Sequence, residues 1–207
     1  MDLNNPIPQE WTSYVTQSPV GLEIVPAMIY DTLTFTTAST TELRFFQQTN
    51  VALDISNLKN AGMFPNPQSF LVQSIRFFVR NQLQTVDSGA AAPTNFASNF
   101  NDVILVTNTG IAQLNIGTKS YGPWPLWTLP SGAMVTGVLS MAGAEAANIT
   151  QAYGQLQGPL YPLFPNLMIA PLQNFELLLR WPSGTVATLS NPVIQMVMDG
   201  QLARAVQ

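Results

Sequence analysis

Between Asn174 and Trp181 apolar and polar positions alternate. Phe175, Leu177, Leu179 and Trp181 fall on one face of an extended chain, while Glu176 and Arg180 fall on the other. A period of two is the pattern of a strand with one buried face. Thr32 to Thr37 repeats it, with Leu33 and Phe35 inward and the threonines outward. Just upstream, Leu22 to Tyr30 reads as a first short strand interrupted by Pro26, and Thr41 to Gln47 continues the β pattern. Ser69 to Arg80 mixes β-branched and aromatic residues without a break, which predicts a core strand. It is long enough to predict a bend or bulge near Gln73 and Ser74. Asp102–Thr107 and Ile111–Lys119, joined at Asn108-Thr109-Gly110, predict a hairpin. Near the C-terminus Asn166–Ala170, Pro192–Asp199 and Gln201–Val206 complete the strand pattern.

The stretches between strands carry their own signals. Residues 1–19, with Pro6, Pro8 and Pro19, have no sustained period and predict an extended arm. Gln48 to Gln68 is dense in Asn and Pro and predicts a long connection. Residues 83–101 are small and polar, as in an insertion loop. Tyr121 to Pro130 holds three prolines in ten positions, which argues against any regular element there. The small, apolar segment 131–158, which includes Ala142 to Ala147, reads as a second insertion and is expected to hold a short helix. About eight to ten short strands without an internal repeat predict an all-β chain.

Composition narrows the chemistry. The chain has 207 residues, enough for one domain with a substantial core. Charged residues make up only 9%, against roughly 25% in average soluble domains. The net charge of −4 supplies no basic footprint, so direct sequence-specific nucleic-acid binding is not expected. The absence of His and Cys excludes Ser-His-Asp and Cys-His catalysis, thiolate or imidazole metal sites and disulfides. The first residues, MDLNNPIPQEW, lack the basic and apolar regions of a secretory signal, so the mature chain is expected to start there. The longest charge-free stretch, Lys119 to Glu145, is too broken by Pro and Gly to predict a membrane-spanning helix.

Three kinds of site come into question. The eleven carboxylates are spread evenly, without the close spacing that a catalytic pair or a calcium loop would suggest. No catalytic residue, metal or cofactor is therefore assigned. Trp124 and Trp127, with Tyr121, fit either a sugar-stacking surface or the capped end of a sandwich core. The sequon Asn148-Ile149-Thr150 has no accompanying export signal and is discounted. Arg44, Arg76, Arg80 and Arg180 lie in or at the ends of apolar strands, so each is expected at the solvent, paired with a carboxylate or at a subunit contact. Interface cores are rich in aromatics, Met and Arg and poor in other charges. This places the candidate subunit-interface residues at Trp11, Tyr14, Arg44, Arg80, Trp124, Trp127 and Arg204.

The strings TELRFFQQTN, MFPNPQSFLVQSIRFFV, GTKSYGPWPLWTLPSG, FELLLRWPSG and VIQMVMDGQLARAVQ, taken in order, resemble the jelly-roll coat proteins of tailless icosahedral viruses. They look most like the branch of small phages with an internal membrane. The likeness covers most of residues 41–207 and is a pattern of strand ends and turns, with no catalytic signature. It implies a single jelly-roll β-sandwich of two antiparallel sheets, behind an N-terminal arm, over residues 20–207. It also implies a virion protein made in the host cytoplasm that forms trimeric, pentameric or hexameric capsomers and meets other virion proteins and an internal lipid layer. The rivals are a jelly-roll carbohydrate-binding module using exposed Trp and Tyr, a β-sandwich hydrolase and a phage tail or spike subunit.

Overall fold

The computed structural model describes residues 22–36, 40–49, 51–80, 105–129, 136–141, 149–154, 161–184 and 191–205. Within them lie β1 (Leu22–Thr34), β2 (Glu42–Phe45), β3 (Ser69–Arg80), β4 (Ile111–Ile116), β5 (Lys119–Pro125), β6 (Thr136–Met141), β7 (Ile149–Gly154), β8 (Tyr161–Ile169), β9 (Phe175–Arg180) and β10 (Val193–Ala205). One four-stranded antiparallel sheet has the order β1-β10-β3-β8, the other β2-β9-β4-β5, and β6 pairs with β7 in a separate hairpin.

The pairing is nested. With the β6–β7 hairpin set aside, the first strand pairs with the last, the second with the next to last, β3 with β8 and β4 with β5. A single antiparallel ribbon with this nesting, wrapped so that successive pairs alternate between two sheets, is a jelly roll. The expected all-β sandwich is the observed one.

Inward residues of the two sheets share one core, which includes Phe35, Phe45, Phe70, Leu114, Leu177, Trp181 and Met196. The Phe64 ring stacks between Phe70 and Phe175, at 5.6 and 5.4 Å. Trp181 meets Phe35 edge to face at 4.8 Å. Its indole N–H donates to the Val106 carbonyl at 3.1 Å, so the polar end of a buried ring is satisfied. The alternation read at Phe175–Trp181 is the burial observed, with Leu178 buried as well on the outer face.

The bulge expected near Gln73 is present. Gly200 pairs with Val72 and Asp199 with Ser74, leaving Gln73 as the extra residue. Both Val72 and Ile75 then reach the core.

Several expectations need correction. β1 is one continuous strand across Pro26. It is an edge strand, and Pro26 shares parity with Tyr30, whose backbone faces the open edge, so the missing N–H is not needed in the ladder. The expected hairpin is displaced: residues 105–109 form a helical turn, and β4 instead turns through Gly117 (φ 57°) into β5. Tyr121–Pro125 is therefore strand, tolerated because β5 lies at a sheet edge and its pairing is bulged between Ala112 and Leu114. Segment 131–158, expected to hold a short helix, contributes two strands, and its residues Ala142 to Ala147 lie outside the described residues. The strand expected at Asn166–Ala170 is longer, beginning at Tyr161.

Candidate subunit interface

The outer faces of the two sheets differ in chemistry. On the β2-β9-β4-β5 sheet a polar ladder crosses three strands. Arg180 Nε donates to Glu42 at 3.0 Å, Arg44 Nε donates to Glu42 at 2.7 Å, and Arg44 approaches Glu176 at 3.4 Å. Asn115 donates to Glu176 at 3.0 Å and receives a bond from Gln113 at 2.9 Å. Leu178, flanked in register by Arg44 and Gln113, is buried in the middle of this ladder. The slight burial of Glu42 raises its pKa, but the bonds from Arg180 and Arg44 outweigh this and hold the carboxyl below its usual range. Exposed pairs of this kind contribute little to stability and are screened by salt. Glu42→Gln is accordingly expected to keep its thermal midpoint within about 4 °C of the parent protein. A larger drop in a calorimetric scan would mean that the ladder is structural.

The outer face of the β1-β10-β3-β8 sheet is richer in apolar residues, with Gln195, Gln201, Ser69 and Ser74 among them. Leu71 and Ala203 are fully buried there, with the partly buried Ile24 and Met168 packed against them, in a cluster separate from the main core. Val197 is buried on the same side of β10. An ion pair interrupts this surface: the Arg76 guanidinium grips Asp199 through two bonds of 2.6 Å. Ser74 donates to the same carboxylate at 3.1 Å, and Arg76 lies 5.6 Å from the Phe78 ring and 3.1 Å from the Met28 sulfur. A two-pronged pair is the strong form of this interaction. It lets a charged pair sit within an apolar surface.

At the β1 edge, side chains from the β2–β3 connection replace a neighbouring strand. Tyr30 N–H donates to Asn57 at 2.9 Å, Asn57 donates to the Met28 carbonyl at 2.8 Å, and Ser56 donates to the Tyr30 carbonyl at 3.0 Å. Gln48 donates to the Thr32 carbonyl at 3.2 Å, and the Tyr30 hydroxyl donates to the Leu53 carbonyl. This blunts an edge that would otherwise invite strand pairing. Behind it the Asp31 carboxylate is buried, accepting from the backbone N–H groups of Phe46 at 2.5 Å and Thr32 at 3.0 Å and from Gln48 at 3.1 Å. Burial raises its pKa above the ordinary carboxylate value, and these hydrogen bonds only partly offset the rise. Alongside, a groove of about 390 Å³ opens, lined by Ala27, Met28, Leu58, Met63, Phe64 and Leu202 among others.

At the opposite edge of the same sheet, β8 departs from its ladder. Pro162 pairs with Ser74 and Leu167 with Val72, so residues 163–166 bulge out between them. Leu163 turns into the core, and Phe164 stands fully exposed at 100%.

The residues singled out from the sequence are scattered over this frame. Trp11 and Tyr14 lie outside the described residues. Arg44 belongs to the polar ladder, and Arg80 ends β3 opposite Val193. Arg204 pairs with Glu23 at 3.0 Å across β10 and β1. Trp124 packs partly buried against the core together with Tyr121, whereas Trp127 is 55% exposed on the 3-10 turn that follows β5. The apolar-rich outer face, the groove and the Phe164 knob were missed. The one available signal was the pair of prolines flanking Phe164 in YPLFPN, which marks an edge segment. Among the described residues, no three His, Cys, Asp or Glu side chains converge as a metal site, and no helix is long and apolar enough to cross a membrane. Compared with known proteins, the chain matches no family model, no curated protein and no solved structure.

Proposed function

We propose that this chain is a structural virion protein that self-assembles into an icosahedral shell as a capsid subunit. The observation that carries this reading is a jelly-roll frame that leaves large apolar side chains exposed, among them Met28, Trp127 and Phe164. An antiparallel sheet packed on one side against a core ordinarily turns polar residues to water on the other. Here the outer side carries Ile24, Leu71, Met168, Val197 and Ala203 around the Arg76–Asp199 ion pair. Leu71, Val197 and Ala203 are already covered within one copy, so the surface offered to other molecules is the exposed apolar set. The jelly roll is used by viral coats and also by lectins and cupins, so the fold narrows the function without deciding it. With Tyr121 and Trp124 turned to the core, a stacking platform for sugars is reduced to Trp127. The partners of this reading are further copies of the chain, other virion proteins and a lipid layer beneath the shell.

Light scattering on the purified chain, with negative-stain microscopy of large species, tests the proposal across about 0.05 to 1 M salt. Discrete capsomers or closed shells that persist in high salt are expected, because apolar contacts are not screened. A chain that stays monomeric at high concentration would overturn the reading, and binding to a glycan array would then put the carbohydrate module first.

A further inference from the structure

Two features stand at opposite edges of one sheet, a mainly apolar groove rimmed by Asn57, Lys59, Asn60 and Gln68 and an exposed aromatic ring. The groove beside β1 is lined by Met28, Leu58, Met63 and Phe64, and the bulge of β8 projects the Phe164 ring wholly into water. They also lie at the same height. Met28 pairs with Asp199, Asp199 with Ser74 and Ser74 with Pro162, while Ala27 pairs with Gly200, Gly200 with Val72 and Val72 with Leu167. The groove stands at one end of these two adjacent rows, and residues 163–166 stand between them at the other.

We propose that Phe164 of one copy seats in the groove beside β1 of the next, joining subunits edge to edge and head to tail. This deepens the assembly reading above, and rests on it, by naming a contact through which copies meet. Knob and groove are different surfaces, so the contact is heterologous and every copy offers one of each. Such contacts close into a ring when the rotation between copies divides the circle.

Buried area favours a second copy as the occupant. An aromatic side chain buries roughly 150–250 Å². Even with the groove walls counted again, the contact falls well short of the ~1,200 Å² of a stable complex. A foreign partner that offered a single side chain would be held weakly. Copies of this chain engage at both edges, and the last contact of a closing ring is intramolecular, formed at high effective concentration. Stable dimers are not expected; the association is concentration-dependent and passes directly to closed rings.

The chain has no cysteine, which allows a clean crosslinking test. The double variant Pro165→Cys with Met63→Cys, which keeps the Phe164 ring, is oxidised mildly and run without reductant and is expected to give covalent oligomers ending at one ring size. The control pair Pro165→Cys with Trp127→Cys is expected to give no such ladder. In parallel, Phe164→Ser is expected to raise the concentration for half-assembly by about thirtyfold or more, as for a central anchor residue. Because Phe164 is wholly exposed within one copy, the variant should keep the parent melting temperature. Shells or capsomers that form equally well in the Phe164→Ser variant, with no crosslinks in the double-cysteine variant, would overturn this contact and leave the capsid reading standing. A parent chain that never associates would overturn both.

Discussion

Replacing Gly200 with alanine is expected to lower soluble yield and to move the urea midpoint sharply downward. The added Cβ would overlap the Leu71 carbonyl oxygen and approach the Phe70 ring at 3.2 Å. The obstacle is backbone, and the two strands involved have no room to part: β10 lies between β1 and β3, and β3 between β10 and β8. Relief would break ladder bonds on both sides of the sheet, next to the bulge at Gln73. Overpacking a well-packed interior costs about 1–3 kcal/mol when side chains can give way, and more where only backbone can move. Set against a total stability of about 5–15 kcal/mol, a loss of about 4 kcal/mol or more is expected. Soluble yield and urea unfolding would register it. A variant within about 2 °C of the parent midpoint would show that the strands do not come this close.

The second large effect is expected at Asp31. Asp31→Ala leaves the Phe46 and Thr32 N–H groups and the Gln48 amide without their acceptor in a buried site. Each orphaned buried donor costs about 1–3 kcal/mol, so a combined loss of about 3–5 kcal/mol is expected. Asp31→Asn is nearly as damaging, because its NH₂ replaces one accepting oxygen and faces a donor. The pH dependence separates charge from shape. Burial raises the pKa of Asp31 in the folded state. The folded protein therefore binds this proton more tightly than the unfolded chain does. Its contribution to stability is fully present below the ordinary carboxylate range, near pH 4, and declines as pH rises through the raised value. The melting-temperature gap between the parent and Asp31→Asn should accordingly be widest in acid and narrow toward neutral pH. A gap that widens with rising pH would reverse the sign and sink this account.

Asp31 was open to inspection in the sequence. The alternation that puts Leu33 and Phe35 inside puts Asp31 on the same face, and all three prove to be inward. What the pattern lacks is the partner: Phe46, Gln48 and Ser56 come from a connection whose path no periodicity encodes. Gly200 is similar, since a glycine after Asp199 reads locally as a bend, and only the register with Val72 reveals the close approach to Leu71. The misplaced hairpin has a different origin. The apolar run around Val106 satisfies a strand pattern, yet Val106 is buried in a helical turn whose carbonyl receives the Trp181 indole, a long-range bond that overrides local propensity. Prolines misled twice, at Pro26 and in Tyr121–Pro125, because a breaker at the centre of a sheet is tolerated at its edge. The Phe164 knob belongs to the same class: its prolines mark an edge, but full exposure follows from pairing with β3 alone.

The nesting of first strand with last also governs when the molecule can exist at all. β10 is central to its sheet and pairs with both β1 and β3, so β1 has no partner strand in that sheet until the other strands described have been made. A chain emerging from the ribosome must hold β1 and β3 unpaired with β10 while more than a hundred intervening residues appear. Contacts this distant in sequence are slow to form, and unpaired strands are exposed to aggregation while they wait. The side chains of Ser56 and Asn57 reach the β1 edge from a segment synthesised soon after it, so they can protect that edge long before β10 arrives. The same arrangement acts as a completeness check on translation, since a chain interrupted before β10 lacks the strand that organises the apolar-rich outer face.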